Sequence, residues 1–171
     1  MNTLLRHTPL WVWGVLALLI QRGVDAARPN SVTPARLFLL PLVFTVLGAL
    51  GLVHAGALVP AALAASAAGL LLGAAAGWAL FAGQPGYLWD GQRGALHRPG
   101  SWMMLACSLT AFVLKFGLGT LAGWQPALFA GTGGALLTGL VPGVAGGLLW
   151  GASATQLLLG RARPALTATG A

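Results

Sequence analysis

The sequence is short of charge, and above all of acid. Its 171 residues include two acidic and nine basic side chains, so that only 6% are charged, where an ordinary soluble domain has about a quarter. Hydrophobic residues make up 57% of the chain. This composition excludes a water-soluble globule and indicates a chain that is embedded in a membrane.

Cysteine is almost absent as well. Cys107 is the single cysteine, which excludes a disulfide framework and a cysteine-based metal site, and we expect its thiol to fill apolar space. The net charge of +7 comes from basic residues that are scattered singly among apolar runs. A nucleic-acid-binding surface needs basic residues clustered on one face. We therefore expect no nucleic-acid partner.

Five stretches are apolar and long enough to cross a hydrocarbon core about 30 Å thick. Thr8-Pro9 and Thr33-Pro34 are helix-start signals before the first two stretches, and Ser101 is a cap before the fourth. We expect the first stretch to stay as an anchor, since no cleavage site follows it. The predicted class is an all-α membrane protein, a five-helix transmembrane bundle in one domain covering residues 1–171. Its spans are residues 9–26, 37–53, 61–81, 102–121 and 134–157.

The segment between spans three and four is polar and contains a turn signal. Tyr87-Leu88-Trp89 and Ala95-Leu96-His97 flank the dipeptide Asp90-Gly91. Two short apolar runs around such a turn predict a β-hairpin, although an isolated hairpin is only marginally stable in water. We therefore expect a short cytoplasmic loop or hairpin between helices 3 and 4.

The tail over residues 127–159 has two interpretations. As one helix it would be about 50 Å long, which is too much for one straight crossing and too little for two. Pro142-Gly143 is a candidate turn that would divide it into two short pieces. We favour one kinked span, because a ridge of small residues continues across Pro142 without a change of phase.

Small residues spaced four apart mark spans three and five. Such spacing lets transmembrane helices approach closely, so it indicates either a contact between these spans or a homodimer seam through one of them. A chain with 26 glycines also produces such spacing by chance. The ridge of span three is Ala65, Gly69, Gly73 and Gly77, and that of span five is Gly131, Ala135, Gly139, Gly143, Gly147 and Gly151.

The arginines decide the number of crossings. Five spans place seven arginines on one side and only Arg6 on the other, whereas six spans give five against three. The positive-inside rule favours five, with the N-terminus outside and the C-terminus in the cytoplasm. The tryptophans agree with this arrangement, because Trp11, Trp13 and Trp124 fall at the outer interface. Trp78, Trp89, Trp102 and Trp150 fall at or near the inner one.

Lys115 is the one ionisable side chain deep in a predicted span. Charge in hydrocarbon is unfavourable, so such a residue marks a candidate functional site. Either the side chain snorkels to the outer surface, or it belongs to an outward-facing polar pocket. Without an acid on that side, the ammonium would bind an anionic ligand, a lipid phosphate or backbone carbonyls. The candidate pocket consists of Lys115, His54, His7 and Gln125.

The sequence contains no nucleophile-base-acid set, phosphate loop or metal-ligand spacing. We therefore expect no enzyme activity, no catalytic residues, no cofactor and no metal. The favoured function is structural or accessory, through helix contacts with another copy or with a membrane partner protein in the lipid bilayer. The alternative is a subunit of a small oligomeric transporter or channel. Polar residues in both halves of the spans would favour transport, and the inner half has almost none.

Four segments carry a resemblance to a known family: Arg6-His7-Thr8-Pro9 with Trp11 to Gly14, Arg36 to Pro41, Asp90 to Trp102, and Phe112 to Phe116. They resemble an uncharacterised family of small bacterial multi-pass inner-membrane proteins. A weaker similarity is to the membrane proteins found with cytochrome c biogenesis genes. The resemblance implies a multi-pass protein of the inner (plasma) membrane and supplies no activity. Abundant alanine, glycine and arginine are compatible with a bacterium of high GC content.

Overall fold

The computed structural model of the protein describes residues 28–52 and 58–162, and five helical positions before them. Those positions are Gly14, Ala17, Ile20, Gln21 and Val24, so most of predicted span one lies outside the described residues. The described chain is mostly helical and has five helices and a small sheet. The helices are α1 (Pro34–Leu52), α2 (Val59–Ala82), α3 (Trp102–Trp124), α4 (Pro126–Phe129) and α5 (Thr132–Ala162).

Four of these helices, α1, α2, α3 and α5, are long and apolar enough to cross a membrane. They correspond to predicted spans two to five, and their ends lie within five residues of the predicted limits. Helix α1 begins at Pro34 because the first turn of a helix needs no amide hydrogen there. Helix α3 continues to Trp124, and the next helix starts directly at Pro126.

Helix α5 is one continuous helix of 31 residues that runs through Pro142. The division of this tail into two short spans is therefore not what the chain adopts. At 1.5 Å per residue the helix is about 46 Å long, which exceeds the hydrocarbon core. Near the end of the helix, Leu157 and Leu159 pack against the cluster of Leu37, Tyr87 and Leu96.

The predicted hairpin is present, and it belongs to a larger sheet. Strands β2 (Leu88–Asp90) and β3 (Ala95–Arg98) pair antiparallel. A strand that the sequence does not predict, β1 (Asn30–Val32), pairs with the other edge of β3 and gives the order β1-β3-β2. The fold is thus not purely α-helical. Three residues are too short to show a strand pattern, whereas the third strand adds the stability that a lone hairpin lacks.

Helix α5 is the centre of the described fold. Half of the most apolar stretch of α5 is buried, against 17–22% of the corresponding stretches of α1, α2 and α3. All three of these helices pack against α5. Large apolar side chains instead cover the outward faces, where Leu42, Leu71 and Val113 are more than half exposed. The main core cluster is Phe44, Phe81, Met104, Ala111, Ala145, Leu149 and Ala152.

Candidate functional site

Helices α2 and α5 pack backbone against backbone. The α2 ridge of Gly69, Gly73 and Gly77 is buried against α5. A methyl group added to Gly73 would overlap the carbonyl oxygen of Val144, and one added to Gly77 would overlap that of Leu148. Only glycine permits so close an approach of two helices.

The α5 ridge faces α2 in the same way. Methyl groups added to Gly143 and Gly151 would overlap the carbonyl oxygens of Ser66 and Ala74. Gly139 and Gly147 likewise meet α2 backbone. The structure thus brings the ridges of predicted spans three and five together. Because each ridge is occupied by the other within one chain, neither is open to form a homodimer seam.

Helices α1 and α5 are joined by hydrogen bonds that a proline makes necessary. Pro41 has no amide hydrogen, so the carbonyl oxygen of Leu37, four residues earlier, loses its donor within α1. The buried Ser153 hydroxyl of α5 donates to that oxygen at 3.3 Å. A serine from the neighbouring helix therefore compensates for the proline, which is one way in which transmembrane helices tolerate proline.

Trp150 forms a second link to α1. Its indole Nε1 donates to the Thr45 hydroxyl at 2.9 Å, and that hydroxyl donates to the carbonyl oxygen of Pro41 at 2.8 Å. Trp150 is twelve residues before the end of α5 at Ala162, a rise of about 18 Å. The indole is thus bound to the side of α1, and the position of Trp150 relative to the inner interface stays a prediction.

Replacing Ser153 by alanine should lower the unfolding free energy by about 1 kcal/mol, because it leaves the Leu37 carbonyl without a donor. The loss should shrink when Pro41 is also replaced by alanine, which restores a donor inside α1. Denaturant titrations of the four proteins in mild detergent measure this coupling. Thr155→Ala is the matched control, since that buried hydroxyl donates to Gly151 of its own helix. Equal losses in both Pro41 backgrounds would contradict the prediction.

Buried polar side chains lie where α3 meets the last third of α5. Gln156 is 2% exposed, its Nε2 is 3.9 Å from the Met104 sulfur, and its Oε1 has no hydrogen-bond partner in the described structure. The Ser108 hydroxyl donates to the Met104 carbonyl oxygen at 2.7 Å. The expectation of almost no polar residues in this half of the spans was wrong. Ser153 and Gln156, three residues apart on one helix face, were the signal that could have indicated them.

Lys115 points from α3 to α1. Its Nζ donates a 2.8 Å hydrogen bond to the carbonyl oxygen of Leu47. The residue is nine positions before the end of α3 at Trp124, a rise of about 14 Å. It is therefore farther from the helix end than the predicted span, which ended at residue 121, implies. The ammonium thus uses a backbone carbonyl of the neighbouring helix, one of the partners that the sequence allowed.

The other predicted members of the pocket are not gathered around Lys115. Gln125 is exposed where α3 ends, ten residues further on, a rise of about 15 Å. His7 and His54 lie outside the described residues. Within the described part of the chain, no three histidine, cysteine or acidic side chains are placed to hold a metal ion.

The end of the bundle that carries the sheet is strongly basic. The Nε of Arg98 donates to Asn30 at 2.9 Å, and the Arg161 guanidinium lies 5.2 Å from the ring centre of Trp89. These contacts join the sheet to itself and to the last turn of α5. Towards the opposite end, Lys115 inside α3 is the one basic residue among those described. The described arginines of the sheet end are Arg28, Arg36, Arg93, Arg98 and Arg161.

Tyr87 anchors the loop under α5. Burial raises the pKa of its phenol to about 12, although the charge of Arg98 opposes the increase. The phenol donates a hydrogen bond to the side-chain oxygen of Gln84 at 2.9 Å. Its role in the described structure is to bury the sheet against α5.

Four long apolar helices, two of them packed through glycine backbone, define the class as a helical protein able to cross a membrane. Within that class the chain belongs to the Family of unknown function (DUF6622), whose model matches residues 1–167. No curated protein matches the chain, and no solved structure does. The resemblance to an uncharacterised family is confirmed to this extent. The similarity to cytochrome c biogenesis proteins and the bacterial origin receive no support.

Proposed function

We propose that the protein is a non-catalytic integral membrane protein with a structural or accessory role, acting through helix contacts. The observation that carries this proposal is the distribution of side-chain size. Small residues line the buried α2–α5 contact, whereas large apolar side chains such as Leu71 and Trp102 stand outward, 70% and 69% exposed. A surface of this kind is stable only against lipid or another apolar partner.

The arginine distribution supports one orientation in the membrane. Under the positive-inside rule, segments rich in arginine stay in the cytoplasm. We therefore place the basic sheet end on the cytoplasmic side of the inner membrane of a bacterial cell. Helix α5 ends there, so the C-terminus is cytoplasmic. Five crossings then put the N-terminus outside.

The second half of α3 is the surface that we assign to a partner. No residue of α3 after Ala111 is buried, whereas Met104, Ser108 and Ala111 in its first half pack into the core. Val113 and Leu121 in the open half are 58% and 43% exposed. The occupant is either a helix of another membrane protein or a second copy of the chain.

Photo-crosslinking in cells tests this assignment. A benzophenone side chain at Val113 or Leu121 should yield one protein adduct of defined mass, while the same group at Leu71 on the outward face of α2 should not. Mass spectrometry of the adduct then separates a second copy from a different partner. If all three positions capture only lipid, the accessory role through α3 is wrong.

The alternative, a subunit of an oligomeric transporter or channel, is favoured by one observation. Gln156 and Ser108 are buried polar residues towards the sheet end, and Lys115 lies towards the other end. Potassium chloride flux from proteoliposomes tests this alternative. Flux that Gln156→Leu abolishes while the melting temperature is retained supports a path, and absence of flux in the wild-type protein contradicts it.

A further inference from the structure

Beyond the bond between Lys115 and Leu47, helices α1 and α3 each carry an exposed glycine with open space beside it. On α3, Lys115 and Gly119 continue the line of the buried residue Ala111 at four-residue spacing, with about 40° of turn per step. On α1, Gly51 likewise follows Leu47 by four residues. A Cβ atom at Gly51 or Gly119 would meet nothing within 4 Å in the described structure. We name this space, bounded by Leu47, Gly51, Lys115 and Gly119, the Lys115 cleft.

The cleft contains a cation and no described acid. The Lys115 ammonium has three N–H groups, and the structure assigns one of them to Leu47. The acid that the structure describes, Asp90, lies in the hairpin at the other end and contacts Arg93 at 3.9 Å. A cation among apolar groups is unfavourable unless it is paired, so the cleft is complementary to an anion.

The position of the ammonium suits a headgroup more than a site in the middle of the bilayer. Leu47 is five residues before Leu52, the last residue of α1, a rise of about 8 Å. Carbonyl groups of a helix point towards its C-terminal end, so the bond to Leu47 draws Nζ in that direction. The lysine stem thus lifts the charge from the level of residue 115 towards the end of α1.

We propose that the Lys115 cleft binds an anionic phospholipid, whose phosphate pairs with the ammonium and whose acyl chains lie along the open faces of Gly51 and Gly119. A phosphate oxygen accepts charge-assisted hydrogen bonds from the two remaining N–H groups. The apolar walls accommodate the chains, whereas a free phosphate would lose its hydration without that compensation. The proposal is independent of whether the second half of α3 contacts a partner.

Native mass spectrometry of delipidated protein, titrated with phosphatidylglycerol or phosphatidylcholine in neutral detergent, tests the proposal. We expect one phosphatidylglycerol to bind at least tenfold more tightly than phosphatidylcholine. Lys115→Met should remove that tenfold preference, and Lys115→Arg should keep it. Arg93→Gln, which removes an exposed charge at the other end, should leave the preference unchanged.

A second pair of variants tests the place of binding without touching the cation. Gly119→Leu should fill the cleft and weaken phosphatidylglycerol binding about tenfold. Gly117→Leu makes the same change on the opposite side of α3, where the glycine also has open space, and should leave binding unchanged. Wild-type affinity in either Lys115→Met or Gly119→Leu overturns the proposal. Full competition by inorganic phosphate at millimolar concentration overturns the assignment to a lipid.

Discussion

Replacing Gly73 or Gly143 by leucine should lower the melting temperature of the detergent-solubilised protein by about 10 °C, from an overpacking penalty of about 3 kcal/mol. The reason is that the added side chain would overlap backbone atoms of the neighbouring helix, which cannot move aside. A side chain at Gly73 meets the carbonyl of Val144, and one at Gly143 meets the carbonyl of Ser66, so no rotamer change relieves the overlap. Differential scanning fluorimetry and size-exclusion chromatography measure the effect.

Two controls separate the effect of the α2–α5 contact from the effect of replacing any helical glycine. Gly117→Leu on α3 places the same side chain in open space and should leave the melting temperature within a few degrees. Within α5, Gly146→Ala should be tolerated and Gly147→Ala should not, because only the second would strike α2 backbone, at Leu70. If Gly73→Leu and Gly143→Leu both leave melting and size unchanged, the α2–α5 contact does not stabilise the protein as described.

Alkaline phosphatase fused after Arg163 should be inactive, whereas the same enzyme fused after Gly131 should be active in the periplasm. The difference is all or none, since the reporter folds only where disulfides form. The reason is that the five arginines that the structure describes lie at the sheet end, and moving that end across the membrane would reverse the positive-inside preference. Enzyme activity in whole cells measures the outcome.

A third fusion makes the topology test internally consistent. Alkaline phosphatase inserted after Gln92, in the turn of the hairpin, should be inactive like the fusion after Arg163, because Arg161 of α5 contacts Trp89 of the same hairpin. Opposite results for these two positions would contradict the common end that the structure gives them. Activity at both would reverse the proposed orientation and leave the fold intact.

The glycine ridges show what local spacing can and cannot decide. The spacing of Gly69, Gly73 and Gly77 indicated a close helix contact, but the same spacing was equally compatible with a homodimer. The partner became evident only when α2 backbone was found opposite Gly143 and Gly147. A ridge specifies how near another helix can come, and which helix comes near depends on the whole packing arrangement.

The polar groups were harder to predict. Ser153 is significant only because Pro41, more than a hundred positions earlier, leaves a carbonyl unpaired beside it. Gln156 and Ser153, three residues apart, mark one polar face of α5, but their spacing does not show whether that face meets lipid or protein. The cost of charge in hydrocarbon indicated Lys115 as a candidate residue. Its contact with Leu47 could not be predicted, because it depends on where α1 packs.

By itself, the sequence determined that the composition is typical of a membrane protein, and it determined the hairpin and the approximate limits of four long helices. These features depend on runs of apolar residues and on local turn signals. Only the tertiary structure decided that α5 lies at the centre, that strand β1 completes the sheet and that an open space lies beside Lys115. The physical reason is that hydrophobicity favours the transfer of a helix into lipid but does not select the neighbouring helix that it contacts. That choice depends on backbone approach and on hydrogen bonds between residues far apart in the chain.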